Sequence, residues 1–306
     1  MKIMIIGAAG FIGTELSLFL CKTGINVIAC DLVDNVPSQL EKQSNFSFIK
    51  IKDYDLFCES ITNIDCMVIL AGKRPYNGFC INDYITNVQI LDKYMKFAIS
   101  KNIKNIIFAS SKAVYSGKDF PWSEDDYCVP SSLYGASKLA CEQLGLYYAQ
   151  NNNISFKALR FAQVIGPGER KGYLINTLLD NARAKKPQVI FGTGEQRRHY
   201  IYIKDVCRSI LCAAQNNAIS GVFNIGMKQA ISNLEMAECV NDVFENRGNI
   251  IHDYTQKMSM VDDAMQVKKA KKYLGFMVKY DLNKAFRDIK TDETKEINDS
   301  KINRTI

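Results

Sequence analysis

The sequence predicts a doubly wound α/β fold: a parallel sheet with helices on both faces and a smaller region added in the carboxyl-terminal half. Three observations carry this. Short β-rich apolar runs alternate with longer helical patterns through the first half, a glycine-rich turn directly follows the first run, and glycine-marked turns separate single elements after residue 166. At 306 residues, 47% of them apolar, the chain can bury one large core or two moderate ones.

KIMIIG opens the sheet. Residues 11 to 22 follow as a helix with Ile12, Leu16, Phe19 and Leu20 on one face, Lys22 in the last turn and Gly24 as its stop. NVIAC and FSFIKI supply the next strands, CMVILAG precedes a helix over 83 to 100, and NIIFAS precedes a helix over 132 to 150. That last helix has Ser131 or Ser132 as its cap and Ala140, Leu144 and Tyr148 along its apolar face. FKALRFA closes the first region, and the turns GPGER, FGTGEQ and NIGMKQ punctuate the second. The expected division is 1–165, then 166–286 with parts that return to the sheet, then a polar, loosely held tail over 287–306.

Composition narrows the function classes. The ten cysteines include no Cys-x-x-Cys pair and only two histidines accompany them, so no metal site is expected. Cys30, Cys66 and Cys141 fall in apolar runs where a reduced thiol packs as a small hydrophobe, which points to a reducing, cytoplasmic compartment. The start has a lysine followed by an apolar stretch, as a signal peptide does, yet Gly7, Gly10, Gly13 and Glu15 interrupt it and no cleavage site precedes the next strand. No run of about 18 apolar residues is present to span a membrane. The charge of +7 comes from scattered lysines, which suits a solvated surface better than a nucleic-acid site.

GAAGFIG sets Gly7, Gly10 and Gly13 between a strand and the helix that opens at Phe11 and Ile12. Glycines there allow a tight turn and close approach of a pyrophosphate to the helix N-terminus. NVIACD ends in Asp31 at the distance expected of the acid that bonds a ribose in the dinucleotide-binding Rossmann fold, and its carboxylate favours NAD over NADP. Asp53, past the third strand, is a candidate for the adenine, with a solvated loop carboxylate as the alternative.

Tyr-x-x-x-Lys occurs three times, at Tyr134 and Lys138, Tyr200 and Lys204, and Tyr280 and Lys284. Four residues return to the same face of a helix but stand about 13 Å apart in a strand, so the pair in HYIYIKD is disqualified by its alternation. YDLNKAF reads as helical, with nothing catalytic before it. The pair in YGASK opens a helix after a strand that ends in Ser110 and Ser111, the sheet end where open α/β folds bind ligands.

GAAGFIG, Asp31, SSKAVY, YGASK, LRFAQVIGPG, GTGEQRRHYIYIKDV, FNIG and KKYLGF appear in the order found in the NAD-dependent sugar epimerase/dehydratase family of extended short-chain dehydrogenases/reductases, which the chain resembles over nearly its whole length. The resemblance implies NAD as cofactor, with Gly7, Gly10, Phe11, Ile12, Gly13, Asp31, Ala71, Tyr134 and Lys138 around it. It implies Tyr134 as general base and acid, Lys138 as the cation beside it, and Ser111, with Ser110 as the alternative, bonding the reacting oxygen. A phenol ordinarily titrates near 10 and needs such a cation to act at neutrality. Gln163 and Arg198 then meet the substrate, Arg198 at its diphosphate.

Departures bear on the reaction. Ile69 stands where the family often has histidine, Gln163 where asparagine is usual and His199 where aspartate is usual. Lys112 and Ala113 replace the acidic pair of the dehydratases, which removes the general acid for loss of water. The expectation is therefore a cytoplasmic, homodimeric 4-epimerase of a nucleotide-diphosphate sugar, dimerising through the helices over 83–100 and 132–150. A 4-keto-sugar reductase, dehydrogenase or dehydratase, and a non-catalytic NAD-responsive binding protein, are the alternatives.

Overall fold

The computed structural model describes every residue except 34–35, 53–56, 58, 60, 76–77, 118–119, 171, 256–261 and 303–306, and leaves out the side chains of 293–302. In chain order the elements are β1 (Lys2–Ile6), α1 (Phe11–Lys22), β2 (Asn26–Asp31), α2 (Ser38–Glu41), β3 (Phe46–Lys50), β4 (Cys66–Ile69), α3 (Ile81–Ser100), β5 (Asn105–Ser111), α4 (Leu133–Asn152), β6 (Ser155–Phe161) and β7 (Gln163–Ile165). They continue with α5 (Leu174–Arg183), β8 (Gln188–Phe191), β9 (Arg197–Arg198), β10 (Tyr200–Tyr202), α6 (Ile203–Gln215), β11 (Gly221–Ile225), β12 (Ile231–Ser232), α7 (Asn233–Val243), β13 (Ile250–Asp253), α8 (Lys268–Leu274) and α9 (Leu282–Ile302).

The chain forms two compact units: Met1–Ala162 with Ile203–Ile225 and Met265–Met277, and Gln163–Tyr202 with Gly226–Ala264 and Val278–Ile306. The units are not contiguous in sequence, and the first break falls after Ala162 where the expected boundary is 165. After Ala162 the chain leaves the first unit, and the return of β11 beside β6 adds the seventh strand to the sheet, while α6 packs on α1. Gln163 thereby belongs to the second unit.

In the first unit a seven-stranded parallel sheet runs β11-β6-β5-β4-β1-β2-β3. The chain builds outward from β1 to β3, then crosses back to β4 on the other side of β1, and ligands of such sheets bind at the carboxyl ends of the strands flanking that reversal. Ile3, Met4, Ile5 and Ile6 are at most 1% exposed, because helices cover both faces of a parallel sheet. Met4, Ile6, Met67, Ile69, Phe108 and Phe156 meet Leu91, Met95 and Cys141 of α3 and α4 on one of those faces.

Two local expectations shift. Ala140, Leu144 and Tyr148 are half-buried, and the stripe of α4 that is lost from solvent carries Ser137, Lys138, Cys141, Glu142, Gly145 and Ala149. Polar groups occupy this stripe because the helix faces α3 and a polar strand end, described below. The expected tail begins inside a 21-residue helix. Leu282, Ala285, Phe286 and Ile289 form a buried stripe against α7, and Lys290 donates to the Val243 carbonyl at 2.9 Å, so the helix is docked before its polar stretch begins.

Candidate functional site

The glycine loop closes the carboxyl end of β1. Gly7 has φ +88° and a side chain on it would stand 2.6 Å from the Ala71 nitrogen, while one on Gly13 would stand 2.4 Å from the Gly7 oxygen. Both positions therefore demand glycine, the first to let β1 and β4 end side by side, the second to seat the helix on the loop. Gly10 differs: it is exposed, and a side chain there would meet nothing nearer than the Gly7 oxygen at 3.4 Å. Gly10 caps α1 without a side-chain bond, so the first-turn N–H groups, those of Phe11 and Ile12 among them, have no cap to satisfy them.

Asp31 ends β2 beside this loop. One carboxylate oxygen accepts from Ala9 N at 2.9 Å, and the other from Leu32 N at 2.7 Å and Val33 N at 3.3 Å. The acid thus clamps the loop and keeps lone pairs for further donors. An uncapped helix start, an open glycine above it and a fixed carboxylate at the next strand end fit a dinucleotide's pyrophosphate and ribose. Ala71 follows β4, donating to the Ile6 carbonyl at 3.0 Å. Asp53 lies outside the described residues.

Tyr134 is the second residue of α4, capped by Ser132, whose hydroxyl accepts from Gly135 N at 3.1 Å. Its ring is half-buried, edge-on to Phe79 at 5.7 Å. Lys138, 6% exposed, donates from Nζ to the Ala109 carbonyl at 2.8 Å, and Nζ lies 5.8 Å from the Tyr134 ring centre. The other two pairs dissolve on inspection. Tyr200 stands in β10 while Lys204 is in α6, and Tyr280 precedes α9 with its ring 4.8 Å from that of Tyr202.

The two serines at the end of β5 separate sharply. Ser110 is buried and donates to Glu142 Oε1 at 2.5 Å, and Glu142, fully buried, takes a bidentate bond from Arg160 at 3.0 and 2.7 Å. Arg160 in turn donates to the Tyr115 hydroxyl at 2.6 Å. Ser111 is half-buried on the opposite side of the strand, and among the described residues its hydroxyl accepts only from Ala113 N, at 3.2 Å, which leaves it able to bond a ligand oxygen.

Sequence reasoning missed three groups. Asn87, buried in α3, bonds Lys73 N at 2.6 Å and Ser137 Oγ at 3.1 Å, tying the loop after β4 to the turn that holds Tyr134. The Glu142–Arg160 pair was also unread, although a glutamate four residues after Lys138 on the same helix face was a usable signal. The third is a pocket of about 270 Å³ in the second unit, where Gln163 and Arg198 are joined by Tyr173, Tyr200 and Asn233. His199, between two of these, is buried with its ring Nε2 2.6 Å from the Met227 carbonyl, a packing role for which a side chain on Gly226 leaves no room.

The profile of the NAD-dependent epimerase/dehydratase family matches residues 3–226. An uncharacterized UDP-glucose epimerase of Bacillus subtilis, YtcB, is 31% identical over 79% of this chain and 82% of its own length. A dTDP-4-dehydro-6-deoxyglucose reductase of Escherichia coli is 29% identical over 78% of this chain and 80% of its own. Among solved structures, MoeE5 in complex with UDP-glucose and NAD superposes with a TM-score of 0.82 at 27% identity, covering 97% of this chain and 100% of that one. NAD is the cofactor of this chain. By its matched profile, its relatives and its sheet, the chain belongs to the NAD-dependent epimerase/dehydratase family of extended short-chain dehydrogenases/reductases.

Proposed function

We propose that the protein is an enzyme that interconverts C4 epimers of a nucleotide-diphosphate sugar. What supports this most is the placement of Ser111, whose hydroxyl accepts from Ala113 N alone among the described residues, Tyr134 and a buried Lys138 at the carboxyl end of the sheet. Tyr134 takes the proton of the sugar hydroxyl and returns it, while Ser111 bonds the same oxygen. Lys138, held by the Ala109 carbonyl, keeps a cation beside the phenol and a donor for the ribose. NAD, held by the glycine loop and Asp31, would supply reversible hydride acceptance at the carbon whose hydroxyl Tyr134 serves. Asp31 bonds the free ribose hydroxyls and disfavours a 2′-phosphate. The first unit is then the NAD domain, and Arg198 is the group proposed for the substrate diphosphate, with Gln163 as a further substrate contact.

A 4-keto-sugar reductase is the second reading, supported by the Escherichia coli relative. A dehydratase is disfavoured although dehydratases are among the relatives, because Lys112 and Ala113 offer no acid for loss of water. The deciding experiment follows UDP-, dTDP-, GDP- and CDP-sugars by NMR with the NADH signal recorded alongside. Epimerised product at constant NADH supports the proposal, net NADH change supports the reductase, and full turnover by Tyr134→Phe ends both.

We further propose a cytoplasmic homodimer that uses α3 and α4. Exposed Ile81, Ile85, Leu133 and Tyr147 on these helices support it, and light scattering of the full chain tests it.

A further inference from the structure

Lys138 has a nearby anion that it does not take as its partner. Glu142 follows it by four residues on the buried stripe of α4, and side chains at that spacing on a helix stand about 5–6 Å apart at Cβ. Buried charges pair with what is near, and an ammonium paired with this carboxylate would no longer act as a net cation. Among the described residues Lys138 instead donates to the Ala109 carbonyl at 2.8 Å, and Glu142 is engaged by Arg160.

Arg160 is placed to hold that carboxylate. It stands on β6 directly opposite Ser110 of β5 and Asn224 of β11, so the three form one row across the carboxyl end of the sheet. Its Nε and Nη2 donate to Glu142 at 3.0 and 2.7 Å, and Nη1 donates to the Tyr115 hydroxyl at 2.6 Å. That hydroxyl lies 2.9 Å from Asn224 Oδ1, and the guanidinium lies 4.8 Å from the centre of the Tyr115 ring. With Ser110 donating to Glu142 Oε1, both carboxylate oxygens are engaged and the guanidinium cancels their charge.

We infer that Arg160 is a positioning residue for the Lys138 cation: by holding and neutralising Glu142 it keeps the ammonium of Lys138 available to the Tyr134 phenol and to the ribose of the cofactor. This rests on the reading of Tyr134 and Lys138 given above. One consequence separates it from a pair that merely braces the fold. Loss of the Arg160 charge leaves a buried carboxylate whose helix carries a single cation, Lys138, so the ammonium is drawn toward it. Loss of the Glu142 charge leaves Lys138 on the Ala109 carbonyl. The two halves of one ion pair therefore have unequal effects on the chemistry, although either change breaks the same contact.

Turnover of the converted nucleotide sugar, NADH fluorescence titration and thermal unfolding of full-chain variants test this. Arg160→Met should lower kcat about tenfold or more and leave KM for the nucleotide sugar within about twofold, because proton transfer is weakened and no substrate contact is removed. It should also weaken NADH several-fold, since the displaced ammonium no longer serves the ribose. Glu142→Gln, which keeps an acceptor for Ser110, should lower Tm yet hold kcat within about twofold of wild type. Adding Glu142→Gln to Arg160→Met removes the stranded charge and should return kcat and NADH affinity to within about twofold of wild type. A Glu142→Gln enzyme as slow as Arg160→Met, or a folded double variant that stays as slow, overturns the inference. Where Arg160→Met fails to fold, the double variant decides, wild-type turnover supporting the inference and lost turnover overturning it. If wild-type protein converts no nucleotide sugar, the functional reading falls, and the NADH affinity of Arg160→Met against that of the double variant still judges Arg160.

Discussion

Gly135→Ala is the substitution for which the structure dictates most. A side chain at 135 would stand 1.9 Å from the Ala113 oxygen, 2.8 Å from the Ala113 carbon and 2.9 Å from Pro130 Cβ, where ordinary contact begins at 3.4 Å. The obstacle at 1.9 Å is main chain, so about 1.5 Å of separation (3.4 − 1.9) has to open between the start of α4 and the turn after β5. That turn is held by the Ser111 hydroxyl on Ala113 N, and Tyr134 is the residue next to the new methyl. The displacement therefore falls between the two groups proposed to share one substrate oxygen. A misplacement of this size costs about 100-fold in turnover, and overpacking costs about 1–3 kcal/mol, a few degrees of Tm in a chain this large.

The assay pairs turnover on the converted nucleotide sugar with thermal unfolding. Gly145→Ala is the control, since on the same helix its methyl would press on the Phe156 ring at 2.1 Å, in the core, and should lower Tm while sparing turnover. A Gly135→Ala enzyme with wild-type turnover and Tm would refute the claim that this contact sets the spacing of Ser111 and Tyr134.

Three further outcomes are expected. Glu142→Ala strands a buried Arg160 and should cost about 3–5 kcal/mol in urea unfolding, more than Glu142→Gln, which keeps a partner for Ser110; a loss near zero would contradict the pairing. Lys157 is wholly buried among Asn105 Oδ1 at 2.9 Å, Ser155 Oγ at 2.5 Å and the Ile219 carbonyl at 3.2 Å, and burial pulls its ammonium down to about 8 from 10.5. Between those values the unfolded chain binds more protons than the folded one, so this group's contribution to stability rises with pH across the window, by about 3 kcal/mol in all, and is lost as pH falls through 8. Lys157→Met should lack that rise in unfolding curves taken at pH 7.5 and 10, and parallel curves for the two proteins would count against it. Asp31→Asn keeps an acceptor for Ala9 N but removes the charge, and should shift preference from NADH toward NADPH by about tenfold in fluorescence titration; an unchanged ratio would take Asp31 off the ribose.

What the chain's order of residues determines by itself is local. Strand and helix periods, the glycine loop before Phe11, Asp31 at the end of a strand and the helix that starts at YGASK are all legible, because each depends on neighbours within one turn or one strand. The local period removes one of the three Tyr-x-x-x-Lys pairs, and the strand ending in Ser110 and Ser111 before YGASK is what singles out Tyr134 and Lys138 from the other. Adjacent Ser110 and Ser111 cannot be told apart that way, since only tertiary packing puts Glu142, 32 residues on, under one and leaves the other open. Asn87 reaches Ser137 across 50 residues, and Asn233 lines a pocket with Gln163 that the linear domain division had cut apart. These are decided by where a parallel sheet brings distant strand ends and by which polar atoms its packing leaves without partners, and neither quantity has a period that a sequence can display.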